Sequence, residues 1–130
     1  MSYKVLIIDD EEMVRRNLRL LLDHSLQAEV LEATNGKEGL NTLGQHKDID
    51  LIIVDIFMPE MDGLEFIRSA RKLDKDIKIL AISGGSSNLS PDFLTHAKAM
   101  GATDALHKPF ELEHFAKVVK KLLDEGRENS

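Results

Sequence analysis

A length of 130 residues with 42% hydrophobic content suits one domain with one sizeable core and leaves too little chain for two. Lysine and arginine number 17 against 23 aspartate and glutamate residues, and the resulting net charge of −6 disfavours direct binding to nucleic acid. Cysteine is absent, which excludes disulfides and thiolate catalysis and favours a cytoplasmic location.

Short apolar runs alternate with amphipathic segments, a pattern typical of strand–helix–strand units around a parallel sheet. In chain order, the predicted strands are residues 4–8, 29–33, 51–54, 77–82 and a weaker 104–106. The first, third and fourth are almost entirely apolar, which predicts the centre of a sheet covered on both faces. The apolar runs at 5–8 and 51–54 are too short to insert into a membrane or to serve as a signal peptide.

Five helices are predicted between and after these strands. The first covers residues 12–24 and the last residues 112–124, each with an apolar stripe that faces the sheet. Asn35 and Asp62 are expected to cap the second and third helices, since each has a glutamate three residues later. Ser90 and Pro91 open the fourth helix, residues 91–100, and Gly101 closes it. Residues 125–130 are expected to fray. Residues 1–130 are expected to form one domain without an attached output module.

Polar residues follow four of the predicted strands. Asp9 and Asp10 follow the first, Asp55 the third and Ser83 the fourth, and the fifth leads into Lys108. Each residue alone has an ordinary explanation as a helix cap, a turn residue or a surface charge. Because ligands of open parallel sheets bind beyond the carboxyl ends of the strands, the joint occurrence favours one common site.

Three carboxylates at one site repel one another and require a positive partner. A hard cation with oxygen ligands satisfies them, and Mg²⁺ suits a site with few carboxylates and several retained waters. An ammonium opposite such a metal leaves room for a tetrahedral anion, so a phosphoryl group is predicted, with Asp55 as its acceptor. The five histidines lack metal-ligand spacing and are assigned no role. They are His24, His46, His96, His107 and His114.

The combination of these motifs resembles the receiver domain of two-component response regulators. The resemblance rests on the acidic pair at 9–10, the segment DIFMPEMDG over 55–63, Ser83, and the Lys-Pro-Phe sequence at 108–110. It extends over about residues 4–123. It implies an α/β, flavodoxin-like doubly wound sheet of five parallel strands in the order 2-1-3-4-5, with five helices.

The resemblance also implies roles at the metal site. Asp55 would attack the phosphorus of a phosphohistidine on a sensor histidine kinase or a histidine phosphotransfer protein. Asp10, Asp55 and the main-chain carbonyl of Phe57 would bind Mg²⁺ directly, while Asp9 would hold a metal-bound water. The domain would catalyse only its own phosphorylation and slow dephosphorylation, and would not otherwise act as an enzyme.

Further implied roles concern the phosphoryl group and the signal. Lys108 would pair with the phosphoryl group, helped by a cis bond to Pro109, and Ser83 would move to bond a phosphoryl oxygen. This movement would change the face formed by the fourth helix, fifth strand and fifth helix, which an unknown downstream protein would bind.

Three positions depart from the family pattern. Ala105 stands where many receivers have Tyr or Phe, so a signal carried by a rotamer change of an aromatic side chain is excluded at this position. The loop after Ser83 is longer than in compact members and contains Gly84 and Gly85. Phe57 places an apolar side chain two residues after the acceptor, which predicts a phosphoryl group protected from water.

Other functional classes fit less well. A phosphohydrolase of the haloacid dehalogenase class requires an acid–base aspartate where this chain has Phe57. A mononucleotide-binding protein requires a glycine-rich turn after the first strand, where this chain has four acidic residues. A receiver-fold adaptor that binds partners without phosphorylation remains the main alternative.

Overall fold

Parallel strands and helices alternate along the chain. A computed structural model describes residues 2–56, 63–83, 93–108 and 110–128. The strands are β1 (Tyr3–Ile8), β2 (Ala28–Ala33), β3 (Leu51–Asp55), β4 (Lys78–Ser83) and β5 (Asp104–His107). The helices are α1 (Glu12–Ser25), α2 (Gly36–Gln45), α3 (Gly63–Leu73), α4 (Phe93–Met100) and α5 (Leu112–Glu128).

All five strands are parallel and lie in the order β2-β1-β3-β4-β5. The predicted fold class and strand order are therefore confirmed. The order reverses beside β1, where β1 and β3 lie side by side although β2 separates them in sequence. The register brings the ends of neighbouring strands level to within one residue, with Ile8 opposite Val54, Asp55 opposite Ile82 and Ser83 opposite His107. Residues just beyond these ends are consequently brought to one edge of the sheet.

The sheet separates two apolar layers. Successive side chains of β1, β3 and β4 point to opposite faces, and both faces are buried, as the continuous apolar runs predict. One layer packs around Phe66 of α3, with α2 and α4 on the same face. The other packs around Phe115 of α5, with α1 beside it. Burying a side chain of this size stabilises the fold by about 1.5–3 kcal/mol, so the two layers help to hold the sheet between the helices.

Several predicted helix boundaries are confirmed and one is wrong. The Asn35 side chain accepts a hydrogen bond from the backbone N–H of Glu38 at 2.8 Å and so caps α2. Gly101 has a φ of 123°, as a left-handed residue closing α4 requires. Helix α5 continues to Glu128, four residues beyond the predicted end, because each residue added to a formed helix gains a hydrogen bond at little cost.

The expected helix starts at Asp62 and at Ser90 and Pro91 lie outside the described residues. Among the helices that the structure describes, every one falls short of the length and apolar character that a membrane span needs.

Candidate functional site

Three polar side chains are buried at the carboxyl edge of the sheet. Asp9 follows β1, Asp55 ends β3 and Ser83 ends β4, with exposed fractions of 2%, 7% and 0%. They are the only polar or charged residues in the described ranges that are so fully buried. Because burying charged groups is costly and two carboxylates buried close together repel each other, the location of Asp9 and Asp55 at one edge points to a functional requirement rather than to folding alone.

The carboxylates form a compact cluster. Asp9, Asp10 and Asp55 each offer one oxygen, and these oxygens lie within 4.8 Å of one another. Asp10 is exposed and opens the cluster to solvent. Oxygen ligands of a single Mg²⁺ stand about 3–4 Å apart, given metal–oxygen distances of about 2.1 Å. The donor set and its spacing therefore fit a hard divalent cation after small side-chain adjustments.

The surroundings of Asp9 disfavour its ionised form. Burial raises the pKa of the Asp9 carboxyl to about 7. The backbone N–H of Glu11, which donates to Asp9 Oδ1 at 2.9 Å, opposes this rise in pKa. The nearby charge of Asp55 adds to the rise, whereas the charge of Lys108 opposes it. A second positive charge at the cluster would hold Asp9 ionised at neutral pH.

Lys108 lies at the end of β5 and points toward the cluster. Its Nζ atom is 3.9 Å from Asp9 Oδ2, and its side chain is 23% exposed. Its backbone N–H donates to the carbonyl of Ser83 at 3.2 Å, which ties the end of β5 to the end of β4. The structure thus places Lys108 beside the carboxylates, and it places Ser83 at the same edge of the sheet, at the end of β4. Phe57 and Pro109 lie outside the described residues.

Two further residues support the strand ends. Arg15 Nη1 donates to the carbonyl oxygen of Asp9 at 2.8 Å, while its Nε donates to Glu32 at 2.9 Å. Gly63 donates its backbone N–H to the Ile56 carbonyl at 2.9 Å. A Cβ atom on Gly63 would lie 2.5 Å from the carbonyl oxygen of Asp55, so only glycine permits this approach. The sequence analysis missed Arg15, which carries no motif of its own.

His107 is also at the site, although the sequence analysis gave it no role. Its Nδ1 atom lies 3.0 Å from the hydroxyl oxygen of Ser83. The only sequence signal is its place directly before Lys108, and that signal gains meaning only from the pairing of Ser83 with His107 across β4 and β5.

The sequence of residues 5–120 matches the family described as the response regulator receiver domain. The chain belongs to this family. Receiver domains are signalling domains that generally use Mg²⁺ at an acidic pocket, and this chain has an acidic cluster formed by Asp9, Asp10 and Asp55. The resemblance inferred from the motifs is therefore confirmed.

Relatives of this receiver domain include both small and large proteins. It is 30% identical to the chemotaxis protein CheY of Bacillus subtilis, over 95% of this chain and 100% of that protein. It is 34% identical to the sensor kinase CckA of Brucella abortus, over 95% of this chain but only 13% of the kinase. A receiver domain protein from Clostridium thermocellum superposes with a TM-score of 0.87 at 26% identity, covering 98% of this chain and 99% of that one.

Proposed function

We propose that this receiver domain accepts a phosphoryl group on Asp55 in a Mg²⁺-dependent reaction and signals through a change of conformation. One observation carries the proposal. Asp55 is buried, and its carboxylate lies within 4.8 Å of the oxygens of Asp9 and Asp10. A buried acidic cluster with an ammonium at its edge is suited to a divalent cation and to an anion that bridges the cation and the ammonium.

Asp10 and Asp55 would hold Mg²⁺ directly, and Asp9 would hold a water bound to it. When bound, Mg²⁺ supplies positive charge that offsets both the carboxylates and the phosphoryl oxygens. The family resemblance adds the Phe57 carbonyl as a further ligand. The high pKa of Asp9 supports this arrangement, because a cation bound nearby would stabilise the ionised carboxylate that burial disfavours.

The transfer step needs no general base. A carboxylate oxygen of Asp55 forms a bond to phosphorus while the bond from phosphorus to the donor breaks, and the electron pair of that bond stays on the donor. Lys108 would then pair with a phosphoryl oxygen, since its ammonium already borders the cluster. Ser83 would donate its hydroxyl to a second phosphoryl oxygen.

The proposed donor is a phosphohistidine on a sensor histidine kinase or a histidine phosphotransfer protein. Support comes from two relatives whose names are those of sensor kinases, CckA of Brucella abortus and CheAY of Helicobacter pylori. The proposed output is a change at the face formed by α4, β5 and α5, because Lys108 directly follows β5. A downstream protein would bind that face, and we expect both encounters to take place in the cytoplasm.

Acetyl phosphate and mass spectrometry test this function. With Mg²⁺, the wild-type protein should gain the mass of one phosphoryl group, and chelation of the metal should abolish the gain. Asp55→Asn should gain nothing, whereas Asp48→Asn, a matched change at an exposed aspartate paired with Lys4, should behave as wild type. A wild-type protein that stays unmodified would refute the proposal and favour the adaptor function.

A further inference from the structure

The Ser83 hydroxyl has a defined partner at the end of β5. Ser83 Oγ lies 3.0 Å from His107 Nδ1, a distance typical of a hydrogen bond. Ser83 is fully buried, whereas His107 is exposed at the end of the edge strand β5. The two residues are direct partners in the β4–β5 register, so the strand pairing itself fixes this contact.

A serine hydroxyl has one proton to donate. In the neutral imidazole with its proton on Nε2, Nδ1 is an acceptor, and the Ser83 proton is then committed to His107. A phosphoryl oxygen on Asp55 can only accept, so it needs the same proton. The hydroxyl consequently serves either the imidazole or the phosphoryl group at a given moment.

We infer that His107 is a positioning residue whose Nδ1 atom, acting as an acceptor, holds the Ser83 hydroxyl away from the phosphoryl site until a phosphoryl group displaces it. The inference rests on the proposed function, and it adds a role for a residue outside the acidic cluster and Lys108. Breaking the bond ends the contact of the His107 ring with Ser83, and the ring lies on β5, the strand that α4 packs against. The same event thus joins the arrival of a phosphoryl group to a change at the proposed output face.

Alternation along β5 places His107 on the same sheet face as Ala105, which is buried in the layer beneath α4. With only a methyl group at Ala105, no larger side chain from that position stands between α4 and the strand end. His107 is therefore the side chain on β5 whose contact with Ser83 can respond to the phosphoryl state.

Nitrogen NMR of the histidine rings tests the contact without any phosphorylation. The Nδ1 resonance of His107 should be that of an unprotonated acceptor, and Ser83→Ala should shift it. Beryllofluoride with Mg²⁺, which mimics a phosphoryl group on a carboxylate, should shift the wild-type resonance in the same direction. An Nδ1 resonance that Ser83→Ala leaves unchanged would overturn the inference.

Beryllofluoride titrations in Mg²⁺ test the competition. His107→Phe keeps a ring but removes the acceptor, so binding should tighten about two- to tenfold, the range expected for one net hydrogen bond. His107→Asn keeps an acceptor near the position of Nδ1 and should bind as wild type does. In a protein that already carries Ser83→Ala, adding His107→Phe should not change the affinity for beryllofluoride. His24→Phe, at an exposed histidine in the last turn of α1, is the matched control.

Two failures are distinguishable in these titrations. If the wild type and every variant fail to bind beryllofluoride, the proposed function is wrong and the inference falls with it. If the wild type binds but His107→Phe binds no more tightly, or tightens equally without Ser83, the competition is refuted while the proposed function stands.

Discussion

The Nζ atom of Lys108 lies 3.9 Å from the Oδ2 atom of Asp9, so the ammonium partly compensates the acidic cluster. This position gives the lysine two opposing effects. Its charge competes with a metal ion for the carboxylates, and it attracts the phosphoryl group that the metal also attracts.

Lys108→Met should therefore separate metal binding from phosphorylation. Loss of the competing ammonium should tighten Mg²⁺ binding by about tenfold or more in calorimetric titrations, because a unit charge and a divalent cation about 6 Å apart repel by about 1.4 kcal/mol even at a dielectric constant of about 80. Phosphorylation by acetyl phosphate should slow by about 100-fold, as expected when a preorganised charge is removed. Lys120→Met, at an exposed lysine of α5, should change neither quantity. Weaker Mg²⁺ binding by Lys108→Met would show that the lysine supports the metal rather than competing with it.

Asp9→Asn should change how stability depends on pH in the metal-free protein. The pKa of Asp9 is about 7 in the folded state and near its ordinary 3.8 in the unfolded chain, so the folded state binds the proton more tightly. The contribution of Asp9 to the free energy of unfolding is thus most favourable below pH 4 and is lost as pH rises through 7.

Urea unfolding in a chelator at pH 5 and pH 8 measures this dependence. At pH 8, Asp9→Asn should be more stable than wild type by about 1–3 kcal/mol, because a neutral amide replaces a buried charge. The difference in the free energy of unfolding between the variant and wild type should be smaller at pH 5. At pH 8, excess Mg²⁺ should reduce this difference. A variant less stable than wild type at pH 8 without metal would contradict the assigned electrostatics.

Gly63→Ala should destabilise the protein and disturb the site. The added Cβ would lie 2.4 Å from the Ile56 Cα and 2.5 Å from the Asp55 carbonyl oxygen, and backbone atoms cannot yield cheaply. We expect a loss of about 1–3 kcal/mol in the free energy of unfolding and slower phosphorylation. Gly44→Ala, in α2 with open space around it, should instead gain about 0.5–1 kcal/mol. Equal stabilities of the two variants would refute the steric argument.

Much of this architecture could be predicted because it depends on local patterns. Continuous apolar runs predict the central strands. Because ligands bind beyond the carboxyl ends of parallel strands, the sequence also predicts that Asp9, Asp55 and Ser83 lie at one edge of the sheet. The contact of His107 with Ser83 could not be predicted, since it depends on the register between two strands that a separate helix connects. The extension of α5 to Glu128 could not be predicted, because the polar composition of residues 125–128 suits both a frayed tail and the last turn of a helix.

Phe57→Asn should shorten the lifetime of the phosphoryl group. An apolar side chain two residues after the acceptor should keep water away from phosphorus, and an amide there can instead orient a water for attack. Loss of the phosphoryl group from Asp55, followed by intact mass after the donor is removed, should be faster in this variant than in wild type. Phe57→Leu keeps the apolar bulk and should match wild type, so equal rates in all three proteins would remove the protective role.

Reductive trapping tests the acceptor most directly. Borohydride converts an aspartyl phosphate into homoserine, and peptide sequencing then identifies the position. After treatment with acetyl phosphate and Mg²⁺, we predict homoserine at position 55, and none when the metal is chelated. Homoserine at another aspartate, or none at position 55 with the metal present, would contradict the assignment of Asp55 as the phosphoryl acceptor.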